Sequence, residues 1–409
     1  MNLRTITYFV DPAFPLSEER LTVAGKTIAE IKEVLEKAGY TIQTVRLASA
    51  PFPDVLGNDA NKSDKAVAFA HALEEACFFN RIDYATLGPA RPADAPAWYA
   101  VIPEVINATE NIFASAVIAD PLTGVSLSAV RWAAEVIHHC AQVRPDGFGN
   151  LRFAALANIP AGVPFLPAAY HDGGVAAFSI GVEAAEIAVS ACAQAENLAE
   201  ARAILIREVE LHGQRIANAV RKFSGGRGLR FHGIDFSLAP YPEDARSLGT
   251  ALERLNGHKV GEKGTLAAVA FLADALDRAK FKHVGFSGVF LPVFEDSVLA
   301  ARSKAGLLTV NDLLLYSAVC GTGLDTVPLP GDTDADTLAA ILLDLAALAL
   351  RLNKPLTARL MPIPGKNAGD DVSFDFPFFA PARVLNVRSS GLGGLFASEE
   401  AFDLAPRSR

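Results

Sequence analysis

Several stretches of the chain set chemically capable side chains at the ends of apolar runs. Cys320 stands in AVCGTGLDTVPLPGDT (Ala318–Thr333), just ahead of Gly321, Gly323 and Asp325. A thiol at a glycine-rich reversal can act as a nucleophile if a neighbouring cation or imidazole lowers its pKa. A lone cysteine can equally be a small core hydrophobe. Asp235 and Ser237 in GIDFSLAP, and Glu295 with Asp296 after GVFLPVF, supply groups for proton transfer. Glu295 and Asp296 are also oxygen donors of the kind that Mg2+ or Ca2+ prefers. The structural alternatives are specific: Asp235 accepting hydrogen bonds from the next loop, and Glu295-Asp296 favouring the N-terminus of a helix over SVLAARSKAG.

Arg359 sits among apolar neighbours in LTARLMP, and Lys366 follows it in PIPGKNAGDD. A guanidinium there can fork onto a carboxylate or phosphate, or serve as the buried partner of an acid. With Ser237, Asp325 and Lys366 it forms the expected substrate-binding set. His171, next to Asp172 in FLPAAYHDGG (Phe165–Gly174), is placed to exchange protons near neutral pH. The expected catalytic set is therefore Cys320, His171, Asp235 and Glu295. The adjacent His138 and His139 lie in a helical run and face about 100° apart, so they cannot share a metal.

The elements that must carry these residues alternate between strand and helix. RTITYFV, the helical Ser17–Gly39 and TIQTVRLA make a first βαβ unit. A strand over Asn111–Ala119 precedes a helix within Val125–Val143, and long helices are expected from Gly181 to Phe223. FHGIDFSLAP, KHVGFSGVFLPVF and GLDTVPLP read as later strands. A partly antiparallel closing region spans about 355–390. No linker or repeat divides the chain, which reads as one α/β domain over 1–409 with polar strand ends converging on one cavity.

Bulk properties narrow the function. The chain has 409 residues, a net charge of −9 and 51% hydrophobic residues, with a mean hydropathy of +0.25. No apolar run reaches the ~18–20 residues of a membrane span, and the N-terminus reads as a strand instead of a secretory signal. The most basic stretch, RKFSGGRGLRFHG (Arg221–Gly233), is a helix end and a glycine loop, so no nucleic-acid partner is expected. Cys77, Cys140, Cys192 and Cys320 show no CxxC spacing, which predicts free thiols in a cytoplasmic protein and no structural zinc. GLGG near the C-terminus lacks the GxGxxG spacing, so NAD is not expected; nor is haem. The apolar composition predicts a homo-oligomer.

GIDFSLAPYPEDARSLGTALERL, VGEKGTLAAVAFLADAL, GFSGVFLPVFED, CGTGLDTVPLPGDT and TARLMPIPGKNAGDD, in this order, resemble the family called domain of unknown function 711, whose members are often labelled pyruvate formate-lyase-like. The resemblance implies the ten-stranded α/β barrel of the glycyl radical enzymes. It would put Cys320 on a hairpin loop inside the barrel and make Gly391, in RSSGLGG, the counterpart of the radical glycine. Leu392 stands where those enzymes carry an aromatic residue, and the chain is about half their length, so the similarity is taken as one of fold. The expected function is an enzyme acting on a small anionic metabolite without radical chemistry, the alternative being a metabolite-binding or regulatory protein that uses the same cavity. Lyase, acyl-transfer and metal-assisted hydrolytic chemistry all remain open to it.

Overall fold

A computed structural model describes residues 1–57, 62–223 and 228–407. Part of the basic stretch, residues 224–227, lies outside the described residues. Ten main strands build the sheet: β1 (Asn2–Phe9), β2 (Thr41–Pro51), β3 (Tyr84–Gly88), β4 (Ile112–Asp120), β5 (Gly124–Ser126), β6 (Phe153–Ala157), β7 (Ala177–Glu183), β8 (Arg230–Asp235), β9 (Gly323–Pro330) and β10 (Leu356–Ile363). The ladder path is β8-β7-β1-β2-β3-β4-β6-β10-β9, with β5 hanging off β4. Strands β1, β2, β3, β4 and β6 are parallel to one another. Strands β7, β8, β9 and β10 run the other way, joined by the antiparallel pairs β1/β7 and β6/β10.

The class is mixed α/β, as expected, but the ladders do not form the expected closed ring of ten. They leave β8 and β9 as the two ends of an open path. Residues 282–293 lie between those ends. Isolated parallel bridges tie His283 to Ile234 and Val289 to Leu238, while Gly321 N donates to Val289 O at 2.7 Å and Val293 N to Asp325 O at 3.3 Å. The stretch KHVGFSGVFLPVF is therefore extended without becoming the strand that its apolar run predicts. Ser287 has a φ of 39°, and Pro292 has no N–H to give, so no continuous ladder can form. A second difference is β7. The expected helices from Gly181 begin at Ala185 and Leu198; Ala177–Glu183 is a fully buried strand in which Phe178, Ile180 and Val182 alternate with Ala177, Ser179, Gly181 and Glu183, the period of two that marks a strand.

Helices cover the outer face. Glu18–Lys37 begins at Ser17, whose side chain accepts from Arg20 N, and buries Leu21, Ala24, Ile28, Ile31 and Leu35 along one stripe. Ala335–Leu352, the most apolar run in the chain, buries nine side chains. No helix among the described residues is long and apolar enough to cross a membrane.

The inner face is filled by the loop between β6 and β7. Its carbonyls need partners once buried, and small hydroxyls on the sheet provide them. Thr7 donates to Pro164 O at 3.0 Å, Ser179 to Gly162 O at 2.7 Å and Thr86 to Pro167 O at 3.3 Å. Gly181 completes the fit, because a Cβ there would lie 2.8 Å from Thr5 Cγ2. The loop's Phe165 packs edge-on against Phe286 and Phe290. The inserted loop is thus 158–176 and holds no cysteine. Cys320 belongs to a different turn, ahead of β9.

Candidate functional site

A cavity of about 240 Å³ opens beside the inserted loop. Arg4 and Thr5 of β1, Gln43, Thr44 and Arg46 of β2, Gly181 of β7, Asp235 of β8 and Arg359 of β10 line it, together with Phe165, Ser237 and Glu295. Strands of both directions contribute, so the site lies at the start of β1 and β2 and at the end of β7 and β8.

An alternating network of arginines and acids forms one wall. Glu295, 5% exposed, accepts from Arg4 and, at 2.8 Å, from Arg359 Nη2. Arg359 Nε donates to Asp325 at 2.5 Å. Glu183 accepts from Arg4 at 3.2 Å, from Gln43 Nε2 at 2.8 Å and from Arg246. Burial disfavours charge on Glu295, but Arg4 and Arg359 outweigh it and hold its carboxyl below the usual range. Asp325 is pushed up, by burial first and then by the charge of Glu295, against the pull of Arg359. Burial opposes the charged forms of Arg4 and Arg359, and their carboxylate neighbours more than reverse it.

Asp235 and Ser237 form a second element. The Ser237 hydroxyl donates to Asp235, which also accepts from Phe286 N at 3.1 Å and Ser287 N at 2.9 Å. Gly285 makes this clamp possible: its φ is +68°, and a Cβ would lie 2.3 Å from Asp235 Oδ2. Burial pushes the Asp235 carboxyl upward despite these donors. A hydroxyl on a cavity wall, hydrogen-bonded to a carboxylate, is a route for a proton.

Arg46 stands apart from the network. Its Nε donates to Thr44 Oγ1 at 2.9 Å, and Thr44 in turn donates to Arg4 O at 2.9 Å. The terminal nitrogens of Arg46 meet no carboxylate or carbonyl among the described residues. Burial, then the nearby charge of Arg4, presses its pKa down to about 9, which leaves it charged at pH 7 and short of a counter-anion.

Of the expected site residues, Asp235, Ser237, Glu295 and Arg359 come together at this cavity, with Asp325 behind Arg359. The others do not. Cys320 is 2% exposed and packs in the hydrophobic core. Its sulfur accepts from Gly323 N at 3.3 Å, and burial raises its pKa. Lys354, at 2.6 Å from the Cys320 carbonyl, does not overcome that burial. His171 is buried outside the cavity; its ring nitrogens make no hydrogen bond, Nδ1 stands 3.6 Å from an Asp172 oxygen, and burial lowers its pKa. Lys366 is on an exposed turn. Gly391 lies against Asp336, not beside Cys320. Asp296 caps the helix Ser297–Lys304, accepting from Val298 N, Leu299 N, Gly249 N and the Ser247 hydroxyl. A divalent cation does not fit the acid pair: each Glu295 oxygen already faces a guanidinium, and the Asp296 oxygens face four donors. The described residues hold no cluster of three metal-ligating side chains.

Sequence reasoning missed Arg4, Arg46 and Glu183. The available signal was charge at strand positions with buried neighbours: Glu183 stands opposite Asn2 at the end of β7, Arg4 falls at the register shift between Leu3 and Thr5 of β1, and Arg46 lies between the buried Val45 and Leu47 of β2.

Fold and site together define a mixed α/β protein whose sheet cups an arginine-lined cavity plugged by an inserted loop. The chain belongs to the family described as "Uncharacterised ACR (DUF711)", whose model matches residues 1–380. It is 32% identical over 376 residues to a UPF0210 protein of Methanopyrus kandleri, covering 87% of this chain and 82% of that one. A UPF0210 protein of Pyrobaculum islandicum is 33% identical, covering 90% and 87% of the two chains. One from Neisseria gonorrhoeae is 30% identical, covering 91% and 88%.

Proposed function

We propose that the protein is an enzyme acting on a small anionic metabolite in this cavity, without glycyl radical chemistry. Arg46 carries the reading: a recessed guanidinium with free terminal nitrogens in a partly closed cavity lacks an anion, and a ligand carboxylate or phosphate would supply it. Arg4 and Arg359 reinforce the positive potential, and Asp235 through Ser237 is the proton-transfer pair. Cys320 is not a nucleophile in this account, because a buried thiol of raised pKa carries little thiolate. Gly391 has no partner role with it. Residues 282–293 fill the gap between β8 and β9 and act as the tenth member of a barrel; their two parallel bridges and their bonds to the β9 side support this.

A specific observation also favours non-catalytic binding. Glu295 and Asp235 spend both oxygens on internal donors, and Asp325 spends one on Arg359, as suits a rigid receptor more than a set of proton carriers. Incubating wild-type protein and Asp235→Asn with a metabolite extract, and following both consumption and retention by mass spectrometry, separates the two. Turnover lost in the variant supports the enzyme. Retention without turnover in both supports the receptor.

A further inference from the structure

We infer that the cavity takes a monocarboxylate carrying an apolar, preferably aromatic, body; this rests on the anion-binding reading above and specifies its ligand. The first argument is charge. Arg4, Arg246 and Arg359 are matched by Glu183, Glu295 and Asp325 in one connected network. Arg144, farther along the cavity, is paired with Glu110. Arg152 spends its terminal nitrogens on the carbonyls of Ile106, Thr109 and Ile112. Arg46 is left with terminal nitrogens that meet no carboxylate or carbonyl among the described residues, and its fork can pair with one carboxylate. A second anionic group would face Glu295, Asp235 or Glu110 across a small cavity, with no free cation to offset the repulsion.

Geometry gives the second argument. With Nε held by Thr44, the Arg46 fork presents its two terminal nitrogens, which suits the two oxygens of a planar carboxylate. The third argument is the aromatic lining, which begins beside Arg46, because Tyr84 is its register partner on β3. Tyr84 and Phe113 stand edge to face with ring centroids 5.5 Å apart, and Phe148 and Phe376 lie 5.2 Å apart. Phe376 and Phe378 come from residues 373–381, which bring a run of aromatic side chains over the cavity. An apolar body between these rings removes its own surface and theirs from water, and aromatic pairs prefer this edge-on spacing. Arg46 together with these rings describes a site for an amphiphilic monoanion better than one for inorganic phosphate or a dicarboxylate.

Calorimetric titration of the full-length protein with 3-phenylpropionate, succinate, inorganic phosphate and 3-phenylpropanol tests this. Phenylpropionate is expected to bind one per chain, with succinate, phosphate and the neutral alcohol at least tenfold weaker. Arg46→Met is expected to lower phenylpropionate affinity at least tenfold while leaving the weak alcohol binding unchanged. Phe376→Ser is expected to weaken phenylpropionate but not the already weak binding of succinate, which provides a readout if Arg46→Met fails to fold. Tighter Arg46-dependent binding of phosphate or succinate overturns this inference but leaves the anion-binding reading standing. No Arg46-dependent binding of any of these anions overturns both.

Discussion

Glu295 shows how much a single carboxylate can organise. It lies between two guanidiniums, and removing its charge would leave Arg4 with Glu183 and Arg359 with Asp325 alone. Glu295→Gln is expected to destabilise the fold by about 3 kcal/mol, the usual order for breaking a buried ion pair by removing one partner, read as a lower urea midpoint. Because the folded-state pKa of Glu295 is depressed, its contribution is fully present above the unfolded value of about 4.3 and is lost as pH falls through the folded pKa. The wild type is therefore expected to lose stability below about pH 4.3 more steeply than the variant. Arg46 has the opposite sign: it is a half-buried charge whose terminal nitrogens meet no carboxylate among the described residues, so Arg46→Met is expected to raise the melting temperature of the ligand-free protein while weakening anion binding at least tenfold. A drop in melting temperature would mean that Arg46 already has a counter-charge.

At the scale of elements, the capping role of Asp296 and the tip of the inserted loop separate structure from function. Asp296→Ala is expected to cost about 1–2 kcal/mol through the lost cap of Ser297–Lys304, with ligand affinity unchanged in calorimetry. Phe165→Ala removes the ring that packs against Phe286 and Phe290 and lies 5.1 Å from the Arg359 guanidinium. It is expected to cost about 1–3 kcal/mol of buried apolar surface and to weaken ligand binding as well. Much of this level was legible in advance. The first βαβ unit, β8, β9 and β10 stand where their periodicity put them, and the cap at Asp296 was one of two readings of an acid before a helix. What failed has physical reasons. Cys320 follows a helix and precedes two glycines, a pattern that fits either an exposed apex or a turn folded into the core; only the packing of 286–289 against Gly321 decides it. The loop that enters the sheet, 158–176, reads as a proline-rich passage, because what buries it is three hydroxyls from distant strands. His171 rides on that loop and is buried with it.

The whole molecule joins distant parts of the chain. β1 pairs with β7 and β10 with β6, so strands near both ends of the sequence share one sheet. We propose that residues 1–409 unfold as one cooperative unit, with coincident transitions by circular dichroism and tryptophan fluorescence; two separated transitions would contradict it. We propose self-association through a surface that includes Phe78 and Phe79, each 79% exposed; light scattering at micromolar concentration is then expected to give a mass above the 43.3 kDa of one chain, and a mass of one chain would contradict it. Thiol reactivity follows burial: Cys192 is partly exposed while Cys77, Cys140 and Cys320 are buried. Limiting iodoacetamide is expected to label Cys192 first.

The central claim is that Arg46 awaits a ligand carboxylate in a cavity whose other arginines are already paired. The most direct measurement is anomalous diffraction from crystals of the protein soaked with 4-bromobenzoate. The account expects a bromine peak among Tyr84, Phe113, Phe148 and Phe376, with the carboxylate within hydrogen-bond distance of the Arg46 terminal nitrogens. An empty cavity at saturating ligand, with Arg46 instead paired to a protein carboxylate, would contradict it.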